Sequence, residues 1–447
     1  MASAPAIDSA MERRIEREMQ PPLEPAPQGG EALTLADLID AALLSNDSTR
    51  IAWAQAKARA AGWARARSPY YPTIDGGVEA TAGKIQQLGT SDRSYVQMGV
   101  GLSYLLLDFG GRSAKAAAAR EALAAANWSH NQAIQDVLRD VPKAYYTHLA
   151  DAARVKAAEQ DLREAATTLA ATEARRRAGA STVSDVLQAR AREARVKLDL
   201  ASAKGAKEIS RGALATVVGW PANVPLSVGE ELGDPPVRKL GTNVDSLIAD
   251  AGEARPDIGA AQALVRQRES EMRAARSLPF PKLTGTGTLG WFRSRSVEEA
   301  TAYGGLRLEI PIFHGFDMEN ALREARYDLE AAKAQLKLAN DTVVKEVWDA
   351  YQNYVTAVES LSASRALMAS ASESFDASSA RYREGAADIV ELLNAQSTLA
   401  DARAQLIDSK SAIYTSYADL VRAVGERIPE PSGAAEGERE TTYGENR

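Results

Sequence analysis

The chain has 447 residues, no cysteine, 6% aromatic and 25% charged residues, and a formal net charge of −7. About a fifth of it is alanine, well above the usual share. Without cysteine there is no disulfide framework, thiolate metal site or cysteine nucleophile. Mild acidity without a basic block excludes a typical nucleic-acid binder. A mean hydropathy of −0.29 and the lack of any apolar run of about 18 residues exclude a spanning helix, but not a β-barrel.

In chain order, residues 1–30 read as a tail: a charged stub from Met11 to Glu18, then Pro21, Pro22, Pro25 and Pro27. The stub has no apolar signal-peptide core, so the start reads as cytoplasmic or as a processed chain. A first helix is expected from Leu33 to Arg67, ended by the Pro69/Pro72 cluster. Two strands follow, Ile74 to Gly83 and Val96 to Tyr104, joined by a polar loop from Lys84 to Ser94. A long helix is expected from about Ser113 to Arg177, with Pro142 kinking it or removing a hydrogen bond, and a further helix from about Val183.

The pattern then recurs. Ala66-Arg67-Ser68-Pro69-Tyr70-Tyr71-Pro72 resembles Ala275-Arg276-Ser277-Leu278-Pro279-Phe280-Pro281, and Val217-Val218-Gly219 resembles Ala423-Val424-Gly425. The chain therefore reads as two copies of one unit, residues 31–220 and 243–427, with a linker at 221–242 and a polar tail at 428–447. The second copy supplies a helix from Val244 to Arg276, strands Leu283 to Phe292 and Leu306 to Ile312 with a polar loop Arg293 to Thr301, a long helix Asp317 to Arg383 and a final helix from about Ile389. At 1.5 Å per residue the long helices reach about 100 Å. Leu392, Leu399, Leu406, Ile413 and Leu420 repeat every seven residues, as supercoiled helices require.

The strands alternate strictly. Val96, Met98, Val100 and Leu102 enclose Gln97, Gly99 and Gly101, and Thr284, Thr286 and Thr288 share one face. The first three segments are about 9–11 residues, the length of a tilted membrane strand. Four strands cannot close a barrel, so if they span lipid, chains must combine: two would give eight strands and three twelve; the other reading of the same segments is a soluble four-stranded sheet attached to helices. Trp291, Phe292, Tyr95 and Tyr104, near strand ends, are candidates for an interfacial belt or for ordinary core.

This arrangement resembles the TolC-like outer-membrane efflux proteins over about residues 31–427. The carriers are the duplicated helix–strand–strand–helix–helix order, the proline-rich junctions, the turns Asp108-Phe109-Gly110-Gly111-Arg112 and Phe313-His314-Gly315, and the tip motif Arg381-Tyr382-Arg383-Glu384-Gly385 followed by Ile389 to Gln396. The resemblance implies a mainly α fold with a membrane β-barrel portion, in which three protomers build a twelve-helix tunnel and a twelve-stranded barrel. It implies a passive exit duct for efflux or type I secretion, in the Gram-negative outer membrane and reaching into the periplasm, its signal peptide removed. The implied partners are outer-membrane lipid, a periplasmic adaptor and an inner-membrane RND or ABC pump.

By the same resemblance, Asp185, Tyr382, Glu391 and Asn394 are the periplasmic gate residues, and Gly179, Ala180, Ser181, Gly385, Ala386 and Asp388 lie in the adaptor-docking tips. The chain departs from the family in two places: Asn394 lacks an acid's charge, and Ala387 stands where the family carries a bridging arginine. A trimer would set three Glu391 carboxylates around one axis, which favours cations. Helix capping is the competing reading of Asp185 and Glu391, each the third residue of its helix. Some family members carry a lipidated N-terminal cysteine, so no acyl anchor is expected on this chain unless a cysteine was replaced. His130, His148 and His314 lack ligand spacing, so no metal is expected. No cofactor is expected, and no catalytic constellation suggests an enzyme. The alternative reading is a soluble helical coiled-coil scaffold.

Overall fold

A computed structural model describes residues 32–82, 94–229, 231–237, 244–294 and 297–425, and the backbone of 84–86 and 90–92. The expected tails at 1–30 and 428–447 lie outside the described residues. The elements run α1 (Leu35–Ser45), α2 (Asp47–Ala66), β1 (Thr73–Thr81), β2 (Lys84–Gln86), β3 (Thr90–Asp92), β4 (Tyr95–Leu107), α3 (Gly111–Arg177), α4 (Val183–Val218), α5 (Val244–Ala254), α6 (Pro256–Arg276), β5 (Lys282–Ser294), β6 (Glu298–Glu309), α7 (Asp317–Glu384) and α8 (Ile389–Val424).

Several boundaries differ from expectation. The first helix of each copy is broken in two. At Asn46 the backbone is extended (φ −70°, ψ 125°), and its side chain starts the next helix by accepting from the Ser48 N–H at 2.8 Å. At Arg255 the following Pro256 disfavours helical backbone, so a new helix begins on the proline. The loops expected at 84–94 and 293–301 are partly strand: β2 pairs with β3, while β5 and β6 extend into the second loop. The last strand ends at Glu309 rather than Ile312, because Pro311 has no N–H to give the ladder. Pro142 does not interrupt α3.

The described residues fall into two compact units. One draws on the described residues of 32–50, 133–255 and 343–425, the other on those of Ile51–Gln132 and Pro256–Thr342. The second unit holds an antiparallel four-stranded sheet in the order β1-β4-β5-β6. Its register puts Ile74 opposite Leu102, Val78 opposite Met98, Val100 opposite Leu289 and Met98 opposite Trp291. Leu289 then faces Ala302, and Leu283 faces Leu308. Opposed residues share a face, so one side of the sheet is a continuous apolar surface, and Val78, Val100, Leu289 and Leu306 on it are exposed in the protomer. The other face carries Asp75, Glu79, Gln97, Ser103, Thr284, Thr286, Thr288 and Arg307, interleaved with glycine. Trp291 and Tyr104 fall on the apolar face. Tyr95 and Phe292 fall on the polar face, their rings 5.4 Å apart, with the Tyr95 hydroxyl donating to Glu79 at 2.9 Å. The four aromatics therefore cannot form one lipid-facing belt.

The turns from strand to helix carry unusual backbone in both copies. Phe109 (φ +49°) and Phe316 (φ +66°) are non-glycine residues in the left-handed region, a conformation that costs about 1–2 kcal/mol. Arg112 secures the first turn. It donates to the Leu105 carbonyl at 2.5 Å and lies 4.9 Å from the Tyr70 ring centre.

In the other unit, Leu38 and Ala42 of α1 pack with Val137, Val141, Tyr145 and Leu149 of α3 and with Leu214 and Val218 of α4. A ladder then joins α3 to the antiparallel α8. Arg422 Nε donates to Asp136 at 3.1 Å, Lys143 Nζ to Asp419 at 2.8 Å, and Arg154 Nε to Asp408 at 3.0 Å. Arg403 pairs with both Asp161 and Glu164, and Gln396 donates to the Thr168 hydroxyl at 3.0 Å. Tyr146 and Tyr414 stack within the same ladder at 3.8 Å. The partners' numbers fall along α8 as they rise along α3, so the long helix of the first copy is bonded to the last helix of the second.

One buried group beside this ladder gives a pH prediction. His148 is 5% exposed, with Nδ1 3.1 Å from the Ser210 hydroxyl. Burial, then the Lys207 charge, hold it below the ordinary histidine value, against smaller opposing effects of Asp151 and Glu208. The folded state thus disfavours protonation, so the contribution of His148 is complete above about pH 6.5 and is lost as pH falls below it. Melting temperature should decline from pH 7 toward pH 5, and His148→Gln should flatten that decline.

Candidate functional site: the helix-hairpin tips

Helices α3 and α4 meet at residues 178–182, and α7 and α8 at 385–388. Both turns close on a left-handed glycine, Gly179 (φ +75°) and Gly385 (φ +82°). In each, the next N–H reaches back five residues: Ala180 N donates to Arg175 O, and Ala386 N to Arg381 O, both at 2.8 Å. This satisfies helix-end carbonyls that would otherwise lack donors. Arginines fill the last turns, Arg175, Arg176 and Arg177 on α3 and Arg381 and Arg383 on α7, where positive charge suits the helix dipole.

The next helices start on side-chain caps. Thr182 accepts from the Asp185 N–H at 3.2 Å while Asp185 accepts from the Thr182 N–H at 2.8 Å, a complete capping box. Ser181 Oγ adds a third bond to the same carboxylate at 2.8 Å. The Thr182 N–H first, then the Ser181 hydroxyl, hold Asp185 below the ordinary carboxylate range, with a smaller contribution from Arg175. Asp388 caps α8 by accepting from Glu391 N at 2.8 Å.

Glu391 does not return that bond. Its carboxylate accepts from Arg381 at 2.9 Å and from Ser378 at 3.3 Å, so it is an ion-pair partner within its own hairpin. Asn394 is exposed one turn further along α8. Tyr382 is only 5% exposed. It packs against Ile389 and Leu392, and its hydroxyl lies 3.0 Å from that of Thr172. Ala180 and Ala386 are exposed at the turns, as are the nearby Val183, Leu187 and Val390.

Within one protomer, then, Asp185 belongs to the first tip and Tyr382, Glu391 and Asn394 to the second. Arg175, Thr172, Thr168 and Gln396 connect the two hairpins, and sequence reasoning did not single them out. The only signal for Arg175 was the arginine run at a helix end, which does not say which arginine turns inward.

A sheet apolar on one face and polar on the other, joined in one chain to long antiparallel helices with hairpin tips, defines a membrane duct with a helical extension. The sequence profile described as outer membrane efflux protein matches residues 38–220 and 247–426, and the chain belongs to that family. It is 30% identical over 440 residues to protein CyaE of Bordetella pertussis, covering 95% of this chain and 90% of the relative. It is 25% identical to the toluene efflux pump outer membrane protein TtgC of Pseudomonas putida, over 90% and 84% of the two chains. It shares the fold of the Campylobacter jejuni CmeC outer membrane channel, with a TM-score of 0.80 at 19% identity over 92% of each chain.

The protein is therefore an outer-membrane efflux channel with a helical portion extending into the periplasm. This sets aside the soluble-scaffold alternative.

Proposed function

We propose that three copies join edge to edge, β1 of one against β6 of the next, to build a twelve-stranded barrel and a twelve-helix tunnel. The duct is passive and does no catalysis of its own. A periplasmic adaptor docks on the tips around Gly179, Ala180, Ser181, Gly385, Ala386 and Asp388, and an inner-membrane RND or ABC pump drives export. The observation that carries this reading is the sheet itself: an open edge is forbidden in lipid, and its two faces differ as lipid and a water-filled lumen require. Twelve strands leave a pore, whereas eight would fill with side chains. Purified protein in planar bilayers should give trimers with small, mostly closed conductance. A soluble monomer that never inserts would refute the reading.

In this assembly Asp185, Tyr382, Glu391 and Asn394 form the periplasmic constriction. The capping roles of Asp185 and Asp388 coexist with it, since capping fixes where the tips sit. Three Glu391 carboxylates on one axis favour cations. Glu391→Ala should raise closed-state conductance and lower cation preference, on the order of twofold. Single-channel recording in asymmetric salt measures both.

A further inference from the structure

We propose that the cleft where the strands meet the helices is a luminal binding site for amphipathic anions, molecules that carry a phosphate, sulfonate or carboxylate on an apolar body. The proposal rests on the channel reading above. The cleft has a volume of about 600 Å³ and is lined by α2, α3 and α6 together with the adjoining strand ends, all within the unit that holds the sheet. The sheet sets which side it lies on. Lys282 stands in the same alternating row as Thr284, Thr286 and Thr288, and Leu105 lies opposite Thr284. Both line the cleft, so it continues the polar face, which the channel reading turns to the lumen.

The charges of the cleft are unbalanced. Arg59, Arg65, Lys115 and Lys282 line it, and among the described residues none of them forms an ion pair or a side-chain hydrogen bond. Both acids of the lining are already engaged. Glu271 accepts from Arg268 at 2.7 Å and from Gln267 at 2.9 Å. Asp108 accepts from the Arg112 N–H, with the Arg112 guanidinium 3.9 Å away. Glu309 stands opposite Lys282 in the ladder without an ion pair to it. In a chain of net charge −7, four unopposed cations around one cleft are a marked local excess, and three copies would set twelve around the lumen. Between the cations the lining is apolar, with Trp63, Ala66, Leu105, Ala118, Ala122 and Leu278. An inorganic anion would meet only the cations and a neutral apolar molecule only the rest. An amphipathic anion meets both, and a phosphate can take two parallel N–H donors from one arginine. All four cations are exposed, so water and salt screen the attraction. The site therefore captures weakly, as a duct that must release its cargo requires.

The test is block of the residual conductance of the full-length channel in planar bilayers by 1-naphthyl phosphate, added at the barrel mouth so that the tips need not open. It should reduce the parent current saturably, and less as salt rises. The same ring without the charge, 1-naphthol, should block far less. Arg59→Gln combined with Lys115→Gln should raise the half-blocking concentration about tenfold. Lys115→Arg keeps the charge and should be blocked like the parent. Lys57→Gln removes a cation two positions before Arg59, on the opposite side of α2 and outside the lining, and should also match the parent.

A conducting parent that 1-naphthyl phosphate does not block, an equal block by 1-naphthol, or an equal loss of block in Lys57→Gln would overturn the site and leave the channel reading standing. Should the double variant fail to assemble, Lys115→Gln alone decides: a half-blocking concentration raised by more than about twofold supports the site, and a parental value overturns it. A parent protein that forms no conducting trimers overturns the channel reading itself, and the site with it, before any ligand is compared.

Discussion

Val100→Arg should abolish insertion and assembly of the channel, whereas Thr286→Arg should leave assembly intact and throttle conduction. Val100 sits in the inner strand β4, between Gly76 of β1 and Leu289 of β5, on the apolar face. An arginine on the lipid face near the bilayer midplane costs about 2–4 kcal/mol per site, and a trimer repeats that cost three times. Thr286 lies on the polar face between Ser103 of β4 and Gly305 of β6. There an arginine meets water, so the barrel tolerates it, but three guanidiniums narrow the lumen and repel cations. Membrane fractionation with heat-modifiable gel mobility reports assembly, and single-channel recording reports conduction. Equal effects of the two substitutions would mean that the faces are misassigned.

The same alternation explains why the sheet was legible in the sequence. With a period of two, Val96, Met98, Val100 and Leu102 fix their face whatever the neighbouring strand does. The tips were legible for a similar local reason: Gly179 and Gly385 are required where the chain turns left-handed. Breaks inside the first helices were missed because Asn46 and Pro256 also occur within longer helical patterns, and only the extended backbone at Asn46 and the non-helical residue at Arg255 show where each first helix ends.

The site was less legible. Tyr382 sits among Arg381, Arg383 and Glu384, a setting that reads as exposed, yet it is buried against residues of α8 and Thr172 of α3. Glu391 was singled out by the family resemblance, but its partner Arg381 depends on how two helices pack. The α3–α8 ladder could not be read at all. Acids and bases recur along every long helix of this chain, and Asp161 and Arg403 stand 242 residues apart. Nothing local marks which of many charges will be enclosed together.

Arg403→Met should destabilise the helical unit more than any single surface charge change, by about 3–5 kcal/mol. Arg403 is 12% exposed and meets Asp161 and Glu164, themselves 14% and 21% exposed. The guanidinium donates to Asp161 and, at 3.0 and 2.8 Å, to both oxygens of Glu164. Burial already lifts the Asp161 carboxyl above its ordinary value despite the arginine beside it. Without Arg403, two carboxylates would share a nearly dry site with no counter-charge bonded to them. The loss measured would then be mainly the cost of the stranded acids, not the worth of the pair. The triple variant Arg403→Met, Asp161→Leu, Glu164→Met should therefore recover most of the stability, because it removes the charges and the need to enclose them. Chemical denaturation of the single, double and triple variants gives the coupling directly. Recovery in the triple variant would show that the cluster fixes which face of α3 meets α8 and adds little net stability. A triple variant as weak as the single one would instead make the cluster a true stabiliser of the tunnel wall.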